Sequence, residues 1–410
     1  MKILHCLSQL PNKTGSGIAF TNIFLEMQRK GFNNAVLYAT QSFNETDIPK
    51  VLKNAKSFVV NFSSKELPFP IAGMSDVMPY EATVYSKMSE EMFAMWMQAF
   101  RKKLLEAKEK FNPDIIITHH FFILTSLVNE IFKGKKIIAI GHGTDIRQIQ
   151  QNFWIKEKYI SQLENIFHFC LVTPKDIEPV KNIFGIDCNT SEKKISVIGG
   201  GYDENIFACK NKKKDASKIR IIFSGKISKS KGVFEFAKAS KNILEKYPEV
   251  EFTIVGNSSD KTKKILQSSS GNSERLKLLP LFPSQKELAE EYQLCHIYVL
   301  PSYYEALGLS VIEALACGMR AVTTEIEGLK NLLTSEAENL GAIEYVSLPT
   351  IQNVDEPVET ELPAFVKRLE EKIIVQIERV KENPHPDQKV LDLVKNFTWK
   401  NITQKIIDLF

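Results

Sequence analysis

Glu305 and Glu313 stand in the run Pro301-Ser302-Tyr303-Tyr304-Glu305-Ala306-Leu307-Gly308-Leu309-Ser310-Val311-Ile312-Glu313-Ala314-Leu315-Ala316-Cys317-Gly318. What two such carboxylates can do depends on what lies between them. Tyr298-Val299-Leu300 is a β-favouring run closed by a proline, and apolar residues recur at helical spacing from Leu309 to Leu315 until Gly318. This predicts a strand, a glycine-bearing turn and a helix starting near Gly308. The first amides of a helix lack internal partners and carry the positive end of its dipole, so Gly308, Leu309 and Ser310 form a seat for phosphate. Glu305 lies just before the seat. Glu313 follows about one turn into the helix, where a carboxylate can accept hydrogen bonds from hydroxyls. Paired acids around an anion site suit a polyhydroxylated ligand that carries phosphate, although glutamates near a helix start also simply complement its dipole.

Other groups could serve the same ligand. The loop Phe223-Ser224-Gly225-Lys226-Ile227-Ser228-Lys229-Ser230-Lys231-Gly232 precedes a helix with the apolar stripe Val233, Phe236, Ala237, Ser240 and Leu244. It is not a Walker loop, because Lys231 precedes Gly232 and the G-x4-G-K-[ST] order is absent. Lys226 and Lys231 would neutralise a departing diphosphate, while loop lysines otherwise only solubilise. The first strand runs into Pro11-Asn12-Lys13-Thr14-Gly15-Ser16-Gly17-Ile18. Gly15 and Gly17 let a ligand approach the backbone, or merely serve a tight strand-to-helix turn. G-x-G-x-x-G fails at Phe20, and no acid closes the second strand near Thr40, which disfavours nicotinamide chemistry. His119 and His120 follow the run Asp114 to Thr118, and Gly141-His142-Gly143-Thr144-Asp145-Ile146-Arg147 follows Ile138 to Ile140. Both clusters fall at carboxyl ends of expected strands. His120 is expected to pack against Phe121 and Phe122. A zinc site from His119, His120 and His142 lacks helical spacing and a carboxylate partner.

These residues need a frame. Short β-branched runs alternating with helical patterns from Lys2 to Ile198 predict one parallel sheet covered by helices, and the alternation restarts from Arg220 to Val346. The lysine-rich run Lys210 to Asp215 separates them. The expected division is an N-terminal Rossmann-like domain over 1–208, a linker over 209–218 and a C-terminal domain over 219–396. Two doubly wound domains leave a cleft at the carboxyl ends of their strands.

The 410 residues carry 53 basic and 49 acidic side chains, a net +4, which does not argue for nucleic acid. No apolar stretch approaches the roughly 18 residues of a membrane span, and the start reads as no signal peptide, so the expectation is a cytoplasmic protein. The six cysteines, Cys6, Cys170, Cys188, Cys209, Cys295 and Cys317, form no C-x-x-C pair and suggest neither zinc nor disulfides. Phe397 to Phe410 is an amphipathic helix with Ile402, Ile406 and Leu409 on one side.

The motif P-S-x-x-E-x-x-G-L-x-x-I-E-A-x-A-C-G resembles the E-x7-E signature of retaining glycosyltransferases of family 4, which have the α/β GT-B fold. That resemblance implies that Glu305 faces the donor sugar and Glu313 holds the ribose. Lys226 stands where the family's G-R-L-x-x-x-K-G has arginine, and with Lys231 would clamp the pyrophosphate; lysine keeps the charge without the planar two-toothed grip. The loop with Gly15 and Gly17 would lie over the donor phosphates. His119 aligns with the second member of an H-x-H pair whose first is Ile117 here, and His142 sits in an H-G-T-D-I turn, with Asp145 and Arg147 on the acceptor side. Phe282 falls where the family contacts the base; packing in the core is its other reading. Gly199 and Gly200 replace Pro-Asn of a V-I-P-N-G-V-D turn, and Arg320 replaces a proline. The terminal helix, 397–410, would cross back onto the N-terminal domain.

The implied activity is transfer, with retention, of a sugar from a nucleoside diphosphate sugar, UDP by frequency, to an acceptor hydroxyl of a glycan, lipid-linked or small molecule. The nucleotide sugar is a co-substrate; neither cofactor nor metal is expected. Lys210 to Lys214 permit loose attachment to the inner face of a membrane. Two rivals keep the same binding residues: a nucleotide-sugar epimerase of the 2-epimerase type, which turns over donor alone, and a non-catalytic sugar-nucleotide-binding subunit.

Overall fold

The computed structural model describes residues 1–41, 48–186, 194–210, 214, 217–353 and 355–410. Cys188 and most of the lysine-rich segment, residues 211–213 and 215–216, lie outside the described residues. The chain divides into two compact units, Met1–Gly200 with Trp399–Phe410, and Gly201–Thr398.

In the first unit, β1 (Lys2–Cys6), β2 (Asn33–Gln41), β3 (Lys56–Phe62), β4 (Ile115–His119), β5 (Lys136–Ile140), β6 (His168–Leu171) and β7 (Ile195–Val197) form one parallel sheet in the order β3-β2-β1-β4-β5-β6-β7. β4 is buried at every position, as expected of a parallel strand covered on both faces. On one face lies α1 (Gly15–Arg29), whose Ala19, Ile23 and Met27 meet Ile3, Ile115, Ile117, Ile138 and Ile140. The same cluster takes in Trp399, Ile402 and Ile406 of the terminal helix, Trp399–Ile407. Ile402 and Ile406 have no exposed surface, and burying each contributes about 1.5–3 kcal/mol. Both ends of the chain therefore build this unit.

In the second unit, β8 (Ile219–Ser224), β9 (Val250–Val255), β10 (Leu276–Leu279), β11 (Ile297–Leu300), β12 (Arg320–Thr324) and β13 (Ile343–Val346) make a parallel sheet in the order β10-β9-β8-β11-β12-β13. The direction of winding reverses between β1 and β4 in the first sheet and between β8 and β11 in the second. A doubly wound sheet opens a crevice at such a point, outside the carboxyl ends of its strands.

Two details depart from the sequence reading. The division falls at Gly200–Gly201, before the lysine-rich segment, and Lys214 is a buried part of the second unit. Its Nζ donates to Cys295 O (2.5 Å) and Gly318 O (3.0 Å), and burial lowers its pKa to about 8. Arg320 is also buried, donating to the carbonyl oxygens of Gly341, Asn383 and His385. No helix of the described residues is long and apolar enough to cross a membrane.

Candidate active site

At the reversal of the second sheet, the loops after β8 and β11 are tied together. Tyr303 N donates to Ser230 O at 2.9 Å. Gly232 (φ +63°) presses so closely on the other loop that a Cβ there would lie 2.0 Å from Pro301 O. This contact delivers Lys231, at the end of the short turn Lys229–Lys231, to Glu305: Nζ and Oε1 are 2.5 Å apart. Ser302 Oγ donates to the same oxygen at 3.0 Å. Under the loops, Tyr298 Oη donates to Ser224 O (3.3 Å) and Tyr292 Oη meets Ser224 Oγ (2.5 Å), with both rings fully buried. Tyr298 also shares a hydrogen bond with the Ser310 side chain, so one hydroxyl network joins the end of β8 to the seat. Sequence reading missed this network; the only signal was a hydroxyl in an otherwise apolar strand.

The helix α2 (Leu309–Ala316) begins after Gly308 (φ +66°), with no side-chain cap and no acid in its first turn. The amides of Leu309 and Ser310 thus start an uncapped helix shortly after Glu305 in the chain, and such a start suits an anion. Glu313 is half-buried, no hydrogen bond reaches its carboxylate among the described residues, and burial raises its pKa to about 8. Lys226 is exposed, with no ion pair among the described residues. Phe282 is half-buried against the core of this unit.

In the first unit, Thr14 caps α1 by accepting from Gly17 N (3.1 Å), and Ser16 Oγ donates to Gln9 Oε1 (3.2 Å). Gly17 is required by packing, since a Cβ would lie 2.4 Å from Leu10 O, whereas Gly15 is exposed with nothing within 4 Å. His119 Nδ1 and His142 Nε2 are 3.0 Å apart with rings stacked, and His120, at φ +72°, sets its ring 5.0 Å from that of His142. His119 Nε2 and both nitrogens of His120 are buried without partners among the described residues. The sequence expectation for Asp145 needs correction: its carboxylate has no exposed surface and accepts from Phe121 N (2.7 Å) and His142 N (3.2 Å). It fixes the two histidine turns and is closed to an acceptor. Arg147 is exposed. Among the described residues no three His, Cys, Asp or Glu side chains are placed to hold a metal ion.

Burial lowers His5 to about 4, His120 and His142 to about 3, and His119 well below 6.5. These imidazoles are neutral when folded but take up protons when unfolded below pH 6.5. Their stability contribution is therefore complete above 6.5 and is lost as the pH falls toward 4. Each contributes a slope approaching about 1.4 kcal/mol per pH unit, less for the half-buried His142. The urea midpoint should fall steadily from neutral pH to about pH 5, and a flat midpoint would contradict this.

Residues 205–343 match the family model of glycosyl transferases group 1. The chain is 27% identical over 173 residues to D-inositol 3-phosphate glycosyltransferase of Paenarthrobacter aurescens, covering 40% of this chain and 41% of that protein. It spans less than two thirds of the length of the curated relatives it matches first. Among solved structures, sucrose-phosphate synthase from Thermosynechococcus elongatus is similar at TM-score 0.66 and 15% identity, covering 100% of this chain and 98% of that one. A trehalose-6-phosphate structure from E. coli bound with UDP-2-fluoro glucose gives 0.64 and 14%, covering 100% and 99%. The fold of this chain is accordingly that of the GT-B glycosyltransferases.

Proposed function

We propose that the chain is a retaining glycosyltransferase of family 4 that moves a sugar from a nucleoside diphosphate sugar, UDP being the first choice, to an acceptor hydroxyl without a metal. The observation that carries this reading is the Lys231–Glu305 pair beside an uncapped helix start, with Glu313 one turn further and its carboxylate unpartnered among the described residues. The match of residues 205–343 to glycosyl transferases group 1 and the UDP-sugar bound by a structural neighbour support it.

The barrier to such transfer is expulsion of a diphosphate while positive charge builds on the sugar ring. Preorganised cations and amides at the leaving group stabilise that state most. Lys231, Lys226 and the amides of Leu309 and Ser310 supply them in this reading, with Gly15 and Gly17 admitting phosphate to the first unit's loop. Glu305 engages donor-sugar hydroxyls, Glu313 the ribose and Phe282 the base. His119 and His142, with Arg147 nearby in sequence, serve hydroxyls of the sugar or acceptor.

Thermal-shift titration with UDP, GDP and ADP tests the reading: one nucleoside diphosphate should raise the melting temperature by mass action. Product analysis should show the donor's anomeric configuration kept and activity unchanged by a chelator. Turnover of donor without acceptor would favour the epimerase reading instead. Glu313 adds a pH test. Ribose hydroxyls donate to the ionised carboxylate, so binding releases the proton that burial holds at about 8. Nucleotide affinity should rise with pH up to about 8, and Glu313→Gln should abolish that slope; an unchanged slope would remove Glu313 from the site.

A further inference from the structure

The second unit contains a cavity of about 640 Å³ lined by none of Lys226, Lys231, Phe282, Glu305, Gly308, Leu309, Ser310 or Glu313. It lies where the chain enters and leaves the unit: Tyr202 and Lys395 line it, and Tyr202 N donates to Phe397 O at 2.9 Å. Its volume falls in the range of roughly 300–1,000 Å³ typical of small-molecule sites. Tyr202, Pro386 and Leu391 give it apolar walls, while Asn205 and Gln388 supply groups that donate and accept hydrogen bonds; His385, also on the wall, has its Nδ1 4.0 Å from Cys209 Sγ. Asn205 Nδ2 is held by Asp203 Oδ1 at 3.0 Å, and its own Oδ1 meets no donor among the described residues. Gln388 Nε2 makes a long bond to Asp392 Oδ1, 3.4 Å, and no other side-chain bond among the described residues.

The charge pattern selects among ligands. Glu204 and Lys395 are of opposite sign, and Lys395 is already paired with Asp392 at 2.7 Å. Among the described residues no arginine lines the cavity. Ala316, the last residue of α2, brings that helix's negative dipole end to the wall, which repels anions and favours hydroxyl donors. We propose that this cavity is a binding site for a neutral saccharide of one or two sugar units, separate from the donor seat. Amide side chains and an aromatic wall suit a ring with apolar faces and a hydroxyl edge, and phosphate is disfavoured.

Cys209 reports on occupancy without any label. Its thiol lines the cavity and is half-exposed, whereas Cys6, Cys170, Cys295 and Cys317 are buried. Alkylation of Cys209 by iodoacetamide is followed by peptide mass spectrometry with UDP present to occupy the donor seat. Glucose, N-acetylglucosamine or maltose should slow it about fivefold at a concentration about four times the dissociation constant. Protection should vanish in Asn205→Ala/Gln388→Ala. If that variant does not fold, Leu391→Trp, which fills the space, should abolish it. Saturation-transfer NMR on the unaltered protein should show the same saccharide binding in the presence of UDP. No protection by any neutral saccharide, equal protection by inorganic phosphate or glucose 6-phosphate, or protection that persists in a folded variant would each overturn the proposal. The readout needs no turnover, so its failure is distinct from failure of the transferase reading.

Discussion

Glu305→Gln should lower kcat by about 10²–10³-fold while the protein melts within a few degrees of the unaltered chain. Glutamine keeps the shape of the side chain and can still accept from Lys231 and Ser302, both of which now meet Glu305 Oε1. In the proposed transfer, what it loses is charge where positive charge would develop. The ion pair itself contributes little to folding, because Lys231 and Glu305 keep 28% and 20% of their side-chain surface exposed and water screens the attraction. The substitution should also weaken the hold on Lys231 by removing the charge attraction, so in the proposed reading the dissociation constant for the free nucleotide should fall slightly as the rate collapses. This split separates chemistry from binding: a residue that only held the loop together would lose nucleotide affinity as well. Transfer within about threefold of the original rate would show that Glu305 does not take part in the reaction.

The sequence displays some layers of this molecule well because they rest on local pattern. Ile115-Ile116-Ile117 and Lys136 to Ile140 read as buried parallel strands, since a strand covered on both faces needs continuous apolar residues, and both lie in the sheet. The start of α2 was legible from Gly308 and the helical spacing that follows, and it falls at Leu309. The return of the last helix could be read from Ile402 and Ile406, whose stripe needs a partner surface. What was hidden depends on distant segments meeting. Asp145 looked like a polar residue beside an acceptor; two backbone amides from different turns consume it. Lys214 looked like part of a solvated charge run, yet it caps two carbonyl groups inside the second unit. Lys231 and Glu305 were placed at one site by motif, but nothing in the motif says that they touch. That follows from two loops meeting at a reversal of strand order, a property of topology.

Gly232→Ala tests that meeting of loops directly. Alanine would have to adopt φ +63°, a left-handed conformation costing roughly 1 kcal/mol for a side-chain-bearing residue. Worse, its Cβ would lie 2.0 Å from Pro301 O and 2.8 Å from Pro301 C, both backbone atoms that cannot rotate away. Relief requires the two loops to part, which breaks the Tyr303 N to Ser230 O bond and withdraws Lys231 from Glu305. We expect a loss of about 2–4 kcal/mol in unfolding free energy, together with loss of transfer and of the nucleotide-induced thermal shift. Gly15→Ala is the matched control. No atom lies within 4 Å of its added methyl, and its backbone is not left-handed, so folding should change by less than about 0.5 kcal/mol. Activity then carries the information: if donor phosphate approaches that turn, Gly15→Ala slows transfer in a protein of unchanged stability. If Gly15→Ala leaves both untouched while Gly232→Ala loses both, the glycine turn of the first unit plays no part in holding the donor, and the phosphates rest on the second unit alone.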